Sequence, residues 1–472
     1  MGMIFKSKLT NVASNINIRC DYRFHNYVQN EVRFKSIPFS RFITEIGNGK
    51  DISPNNYEDF NSSDIIYPTV NNLKCSEIKF DDVTFIKDSY IISKELKNDD
   101  IIISRSGTVG LTYVWHNSET VSFFKREIKA IPSGYLIVVK VNTEKIVPHF
   151  IKLLFNSDYY KKYFNIFGVG KTQKNIAQPD ILSIPIPLID YSKQNELLEK
   201  IKPHEIQISE LKNSRLQAIN VINQVFGEEF GFNWVEFEKI KKEKAYKSSI
   251  SKFANNIDCR MGIRFHNKAG VYIQSFLEKK TNKRIKDFIS EPIALGKSIS
   301  PSDYDEDGEY FYIAMSNIKS WAFDPENCKK VSDSYAASNL NKTVKKGDIL
   351  LARSGEGTIG KVALIEDEDI NGIFADFTQR IRLNDFDPLC AYYYMRSDFF
   401  QYLVYTHKKG LGNNTNIFPS QIKEFPIPDW DEVKQAEIVE KIRTQIDEQK
   451  GIDRQIEEKQ QVINKIIENA IR

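Results

Sequence analysis

The sequence predicts an α+β protein of two similar globular domains in a pseudo-twofold arrangement, each followed by a long helix, with the two helices paired. Three observations carry this reading. Five segments occur twice in the same order. Phe24-His25-Asn26 returns at Phe265-His266-Asn267, GKDISPNNY from Gly49 returns as GKSISPSDY from Gly296, and DIIISRSGTVG from Asp100 returns as DILLARSGEGTIG from Asp348. IPIP from Ile184 returns as FPIP from Phe425, and QNELLEKI from Gln194 as QAEIVEKI from Gln435. The shift stays between 241 and 248 residues in a chain of 472, so each copy is a domain and not a solenoid repeat of about 20–50 residues. Next, short apolar, β-branched runs broken by Gly, Asn and Pro (IIISRSG, YLIVVKV, ILSIPIPLI) read as strands. VPHFIKLLFNSDYYKKYF from Val147 has helical spacing, and strands mixed with a few helices, without strict alternation, give α+β. Finally, two charged, periodic stretches follow the two domains.

Taken in order, residues 1–190 form the first domain and 191–228 its helix. With Leu197 at heptad position d, the seam runs through Ile201, His204, Ile208, Leu211, Arg215, Ala218, Ile222 and Val225. Pro203 weakens this helix by removing a hydrogen bond. Residues 229–430 form the second domain, entered through GFNWVEFEKIKKEKAYKSSISK as a surface linker. The C-terminal helix, 431–472, repeats the seam at Ile438, Ile442, Gln445, Gln449, Ile452, Ile456, Lys459, Ile463 and Ile466. Two registers that agree independently favour a coiled-coil pair. The prolines of IPIP and FPIP stiffen each exit from domain to helix.

Hydrophobic residues make up 41% of the chain and the net charge is +3, so any binding face is a local patch and not the whole surface. Cys20, Cys75, Cys259, Cys328 and Cys390 are scattered without a CxxC pair, which argues against zinc or a disulfide framework and fits a reduced, cytoplasmic location. No apolar run suggests a signal peptide or a membrane span.

Catalytic constellations are not found: no phosphate loop of the GxxxxGK[ST] type, no HExxH, no base-holding tetrapeptide of amino-methyltransferases. His25, His149, His204 and His266 lack metal-ligand spacing, and the repeated FHN reads as packing. Gly355-Glu356-Gly357-Thr358-Ile359-Gly360 fits GxGxxG, but a strand and not a helix follows it, so it reads as a glycine-rich hairpin. That hairpin carries Arg105-Ser106 in one copy and Arg353-Ser354 in the other. An arginine and a hydroxyl on a tight turn suit phosphates or base edges; an arginine that anchors the turn is an equal alternative. A second recurrent loop holds Lys171, Thr172, Gln173 and Lys174 in one copy and Asn413, Asn414 and Thr415 in the other. Lysines neutralise phosphates and Asn or Gln bonds adenine. The GK pairs place Lys50 and Lys297 as a third candidate.

Two domains, each ending in IPxP, then QxxI/LxxKI and a long helix, with a GDILxxRSGxxG hairpin in each, resemble the specificity (S) subunit of type I restriction–modification systems. The resemblance spans essentially the whole chain, with departures at Asp99-Asp100 for Gly-Asp, at Leu111 for lysine, and at Pro203. It implies that each domain is a target-recognition domain for one half of a split double-stranded DNA site, and that the helices pack antiparallel as a ruler between half-sites. It implies two modification (methyltransferase) subunits bringing S-adenosylmethionine, and restriction (motor-nuclease) subunits using ATP and Mg. The chain itself would be non-catalytic and without cofactor or metal, directing adenine methylation and cleavage by the complex. The competing readings are a coiled-coil scaffold without DNA specificity, an enzyme with an unrecognised site, and a specificity chain of another methylation-linked defence system.

Overall fold

The computed structural model describes residues 34–471 except 60–61, 75–76, 91–93, 169–173, 244–250, 252–259, 319, 369 and 412–413. The chain divides into two units: residues 1–213 with 454–472, and residues 214–453.

The strands of the first unit are β1 (Ser36–Pro38), β2 (Ile43–Asn48), β3 (Tyr57–Glu58), β4 (Ile65–Tyr67), β5 (Leu73–Lys74), β6 (Glu77–Ile78), β7 (Thr84–Ile86), β8 (Ile101–Ser104), β9 (Thr112–Val114), β10 (Lys129–Ala130), β11 (Leu136–Val141) and β12 (Pro185–Pro187). Its main antiparallel sheet has the order β2-β11-β8-β9, and a second sheet the order β10-β4-β7-β3. The second unit has β13 (Ala294–Leu295), β14 (Tyr310–Ile313), β15 (Lys329–Val331), β16 (Ile349–Ala352), β17 (Val362–Leu364), β18 (Gly372–Phe374) and β19 (Thr378–Ile381). Its main sheet runs β13-β19-β16-β17 and its second β15-β14-β18. The duplication in the sequence is therefore a duplication of topology: both main sheets place the same repeated strands in the same order. Both faces of each are covered. Ile101 and Ile103 point into one core while Ile102 joins Trp115 in another, and Ile349 and Leu351 separate from Leu350 in the same way. Burial on both faces is why these strands are unbroken apolar runs and not alternating ones.

Strand β19 breaks that pattern, with Thr378, Gln379 and Arg380 polar and buried. Gln379 pairs with Leu351 across the sheet, as Ile137 pairs with Ile103 in the first unit. It is fully buried, and neither amide atom has a hydrogen-bond partner. A buried polar group without a partner costs about 1–3 kcal/mol. Gln379→Ile, the residue of the first copy, should raise the urea midpoint of the second unit by the equivalent of about 1–2 kcal/mol; an unchanged or lowered midpoint in an equilibrium titration would refute this.

The helical run from Val147 is two helices, α1 (Pro148–Asn156) and α2 (Asp158–Phe167), broken at the extended Ser157. The buried Ser157 hydroxyl donates to the Leu154 carbonyl at 2.6 Å. Ser397 repeats that bond to Tyr394 in the second unit.

The central helix also divides, into α3 (Tyr191–Ser214) and α4 (Ala218–Phe230). Pro203 lies exposed inside α3 and does not end it. The break falls at Arg215-Leu216-Gln217, where the expected seam residue Arg215 is exposed and pairs with Asp453 at 2.5 Å, and the Leu216 N–H donates to Gln449 at 2.7 Å. The bond to Gln449 satisfies a backbone N–H that a continuous helix would have satisfied internally. The supposed linker after α4 is not one at its start: α5 (Trp234–Lys241), capped by Asn233, brings Phe237 into the core beside Phe232. Next comes α6 (Lys268–Lys280), capped by Asn267; here the second FHN packs, with the nearly buried His266 ring bonded to the Arg260 carbonyl. The first FHN lies outside the described residues. After α7 (Pro388–Arg396) and α8 (Asp398–His407), the C-terminal helix α9 spans Glu432–Ile471. Within the second unit, Arg215, Glu228 and Glu229 meet Asp453, Lys441 and Lys434. One number rises as the other falls, so α4 and α9 are antiparallel. Ile222 and Val225 are buried there with Ile438 and Ile442, and Ile452 is half-buried. Within the first unit, Leu197, Ile201 and Ile208 share a core with Ile463, while Leu211, Ile456 and Ile466 are half-buried. Ile467 and Ile471 are more buried than the expected Ile466, because a straight helix drifts from a strict heptad.

The repeated QxxI/LxxKI motif has a structural cause. Gln194 accepts the Val147 N–H at 2.9 Å and donates to the Ile189 carbonyl at 3.0 Å. Gln435 accepts the Asp387 N–H at 2.6 Å and donates to the Trp430 carbonyl at 2.7 Å. Val147 and Asp387 are the N-caps of α1 and α7. Each glutamine thus ties the exit helix to the start of a core helix. The departure at Asp99 is equally local: Asp99 has φ 69° where Gly347 has φ 87°, and aspartate is among the few non-glycine residues that accept this left-handed conformation.

Candidate nucleic-acid interface

The glycines of the GK pairs exist for close approach. A β-carbon on Gly49 would lie 2.2 Å from the carbonyl oxygens of Pro132 and Ser133, and one on Gly296 would lie 2.0 Å from that of Ala375. The chain lies against a turn here. The Lys50 N–H donates to Pro132 at 2.8 Å, and the Lys297 N–H to Phe374 at 3.1 Å. The hydroxyls of Tyr67 and Tyr312 donate to the Lys50 and Lys297 carbonyls, each at 2.8 Å.

The same turn holds the hairpin. The Arg105 N–H donates to the Tyr135 carbonyl at 3.0 Å, and the Arg353 N–H to that of Phe377 at 2.9 Å. On their other side, the Arg105 and Arg353 carbonyls accept the N–H groups of Ile176 and Ile417, both at 2.9 Å. Ser106 bridges to Asn175 and Ser354 to Asn416. All three loops singled out in the sequence therefore converge in each unit, around the turns 133–135 and 375–377.

Their side chains divide between anchoring and display. The Arg353 Nε donates to the Asp376 carbonyl at 2.6 Å, so this arginine does anchor the turn, through one of its nitrogens. Arg105 is half-buried and its Nε has no partner. Ser106 and Ser354 are buried in the backbone bridges, and their hydroxyls are not on display. Thr415 is fully buried and donates to Glu356 at 3.1 Å; its role is to hold the hairpin. Glu356 also takes Lys408 at 2.8 Å, and this bond above all keeps its carboxyl below the usual range. Lys174 turns back onto Asn165 of α2, at 2.9 Å and 3.3 Å. Lys50 lies 4.8 Å over the Tyr90 ring, whereas Lys297 and Asn414 are exposed. Lys171, Thr172, Gln173 and Asn413 lie outside the described residues.

Tyr135 and Phe377, the residues around which the loops gather, escaped the sequence reading. Each lies in a turn ahead of a strand, 25 and 17 residues past the last glycine of its hairpin motif, and only the order of the sheet brings them to the hairpins.

Residues 277–462 match the model of the type I restriction modification DNA specificity domain. No curated protein matches the chain. Among solved structures, the type I restriction-modification S subunit from M. genitalium is 10% identical, with 94% of this chain and 97% of that one covered and a TM-score of 0.40. A chain from a structure on complex assembly and conformational transition of the type I R-M system is 13% identical, covering 93% and 97%, with a TM-score of 0.46. The HsdS subunit from Thermoanaerobacter tengcongensis is 12% identical, covering 93% and 96%, with a TM-score of 0.33. The matched segment holds Lys297, Arg353, Asn414 and Phe377, so the gathered loops of the second unit lie within it. Among the described residues, no cluster of three His, Cys, Asp or Glu side chains could hold a metal ion, and no helix is long and apolar enough to cross a membrane.

Proposed function

We propose that the chain is the DNA-recognition subunit of a type I restriction–modification system, and that each unit contacts one half of a bipartite, gapped duplex target. It performs no chemistry. Two modification subunits supply S-adenosylmethionine chemistry on adenine, and motor-nuclease subunits using ATP and Mg cleave unmodified DNA in the cytoplasm. The observation that carries this is the gathering of three loops around one turn through matching hydrogen bonds in both units. A duplicated fold that preserves one loop cluster twice suits a ligand with two similar halves. Lys50, Lys297 and the guanidinium ends of Arg105 and Arg353 supply positive charge there.

The test is binding of the full chain, with its modification subunits, to duplexes selected from a randomised pool over a range of salt. Affinity should fall linearly with salt on logarithmic axes. Lys50→Ala and Lys297→Ala should each reduce that slope by about 1. Binding indifferent to salt would overturn the reading. A selected consensus with one continuous block in place of two separated blocks would overturn the bipartite part of it.

A further inference from the structure

Tyr135 is 59% exposed and Phe377 49% exposed, at equivalent places in the two units: each precedes the strand that pairs with the arginine hairpin. Isolated exposed aromatics are ordinary. These two differ in three respects. Their backbone is fixed, because the carbonyl of each accepts the Arg105 or Arg353 N–H and the turn is backed by Gly49 or Gly296. The ring recurs although its neighbours do not: Gly134 and Leu136 flank one, Asp376 and Thr378 the other. And the GK segment of each unit carries an exposed aromatic, Tyr57 or Tyr304, whose ring lies 6.1 Å from that of Tyr67 or 6.0 Å from that of Tyr312. In the first unit Tyr57, Tyr67 and Tyr135 line an open groove of ≈ 350 Å³ together with Ser133, whose buried hydroxyl has no hydrogen-bond partner.

We propose that Tyr135 and Phe377 are base-contacting residues, each presenting its ring to the base edges or base faces of one half-site, while Lys50, Lys297, Arg105 and Arg353 take the phosphates. The inference rests on the DNA-recognition reading above and deepens it. A flat apolar ring held on a rigid turn amid cations gains by leaving water against a base or a thymine methyl, and it gains little from a phosphate. Because Phe stands where Tyr does, the ring is what matters and the phenol hydroxyl is dispensable.

The experiment selects duplexes from a randomised pool with the full chain in its complex, and then measures affinity for the selected sequence and for scrambled DNA. Tyr135→Ala should lower affinity for the selected duplex about ten-fold, the equivalent of about 1.4 kcal/mol, leave the salt slope and scrambled-DNA binding unchanged, and blur the consensus in one block only. Phe377→Ala should do the same in the other block. Tyr135→Phe should behave as the parent does. Alanine variants that keep both consensus blocks and full affinity overturn the proposal and leave the DNA reading intact. So does equal weakening on scrambled and selected DNA, which marks a phosphate or packing role. A parent complex without salt-dependent DNA binding overturns both. Thermal melts matching the parent show that the loss is not one of folding, as exposed side chains permit.

Discussion

Arg382→Met should destabilise the second unit by about 3–5 kcal/mol. Arg382 clasps Asp348 through two nitrogens, at 2.6 Å and 2.7 Å, and reaches Glu291 at 3.0 Å. Asp348, at the head of the hairpin strand β16, is 1% exposed, and one of its oxygens also accepts the Lys345 N–H at 2.7 Å. Removing the arginine leaves the buried Asp348 carboxylate without the cation hydrogen-bonded to it, which is the costly way to lose a buried pair. Urea unfolding followed by tryptophan emission suits the test, since Trp234, Trp321 and Trp430 lie in this unit and only Trp115 in the other. Adding Asp348→Asn to Arg382→Met should recover part of the loss, and a double variant no better than the single one would count against the ion-pair account. The first unit provides a control. Its counterpart, Lys140, turns to Glu45 at 2.6 Å in an exposed pair, while burial pushes the Asp100 carboxyl above its ordinary range. Exposed pairs contribute about 0–1 kcal/mol, so Lys140→Met should cost far less than Arg382→Met.

The second large effect is expected at Gln435. Gln435→Leu keeps the bulk of a side chain that is 1% exposed but abandons the Asp387 N–H and the Trp430 carbonyl. Two backbone groups lose their partner inside the protein, at about 1–3 kcal/mol each where water cannot replace it, so a loss of about 2–4 kcal/mol is expected. Amide hydrogen exchange should show faster opening at Asp387 and at the start of α7 in particular. Uniform protection across α7 would mean that the glutamine is a spacer and not a tie.

These outcomes also show which parts of the protein could be read in the sequence. The duplication, the strands and the helix seams were legible because each depends on a local pattern: an unbroken apolar run for a doubly covered strand, a heptad for a helix pair, a glycine where backbones touch. The break at Arg215 was not, because its cause lies on another helix, at Gln449 and Asp453. Phe237 was misjudged because its neighbours Glu236, Glu238 and Lys239 carry the charge of a linker, although one apolar face is enough to seat a helix. In the candidate interface, residue type suggested Ser106, Ser354 and Thr415 as displayed groups, and burial turned all three inward. Hydroxyl residues serve tight loops and ligands equally well, and only the fold decides between them. Tyr135 and Phe377 carried no signal of their own, since an aromatic residue beside an apolar run reads as part of the core.

The helix α9 is one element with two allegiances: residues 432–453 belong to the second unit, and residues 454–471, with Ile463, Ile467 and Ile471, complete the core of the first. The unit encoded first can therefore be finished only after the other. As the chain leaves the ribosome, residues 214–453 are a continuous stretch that can settle at once, while the amino-terminal half waits for a partner segment that emerges more than two hundred residues later. At about 5–20 residues per second, that delay is roughly ten seconds to a minute. For that interval the nascent amino-terminal half keeps the apolar faces of Leu197, Ile201 and Ile208 open to water, and to whatever chaperone the cell sends to cover them.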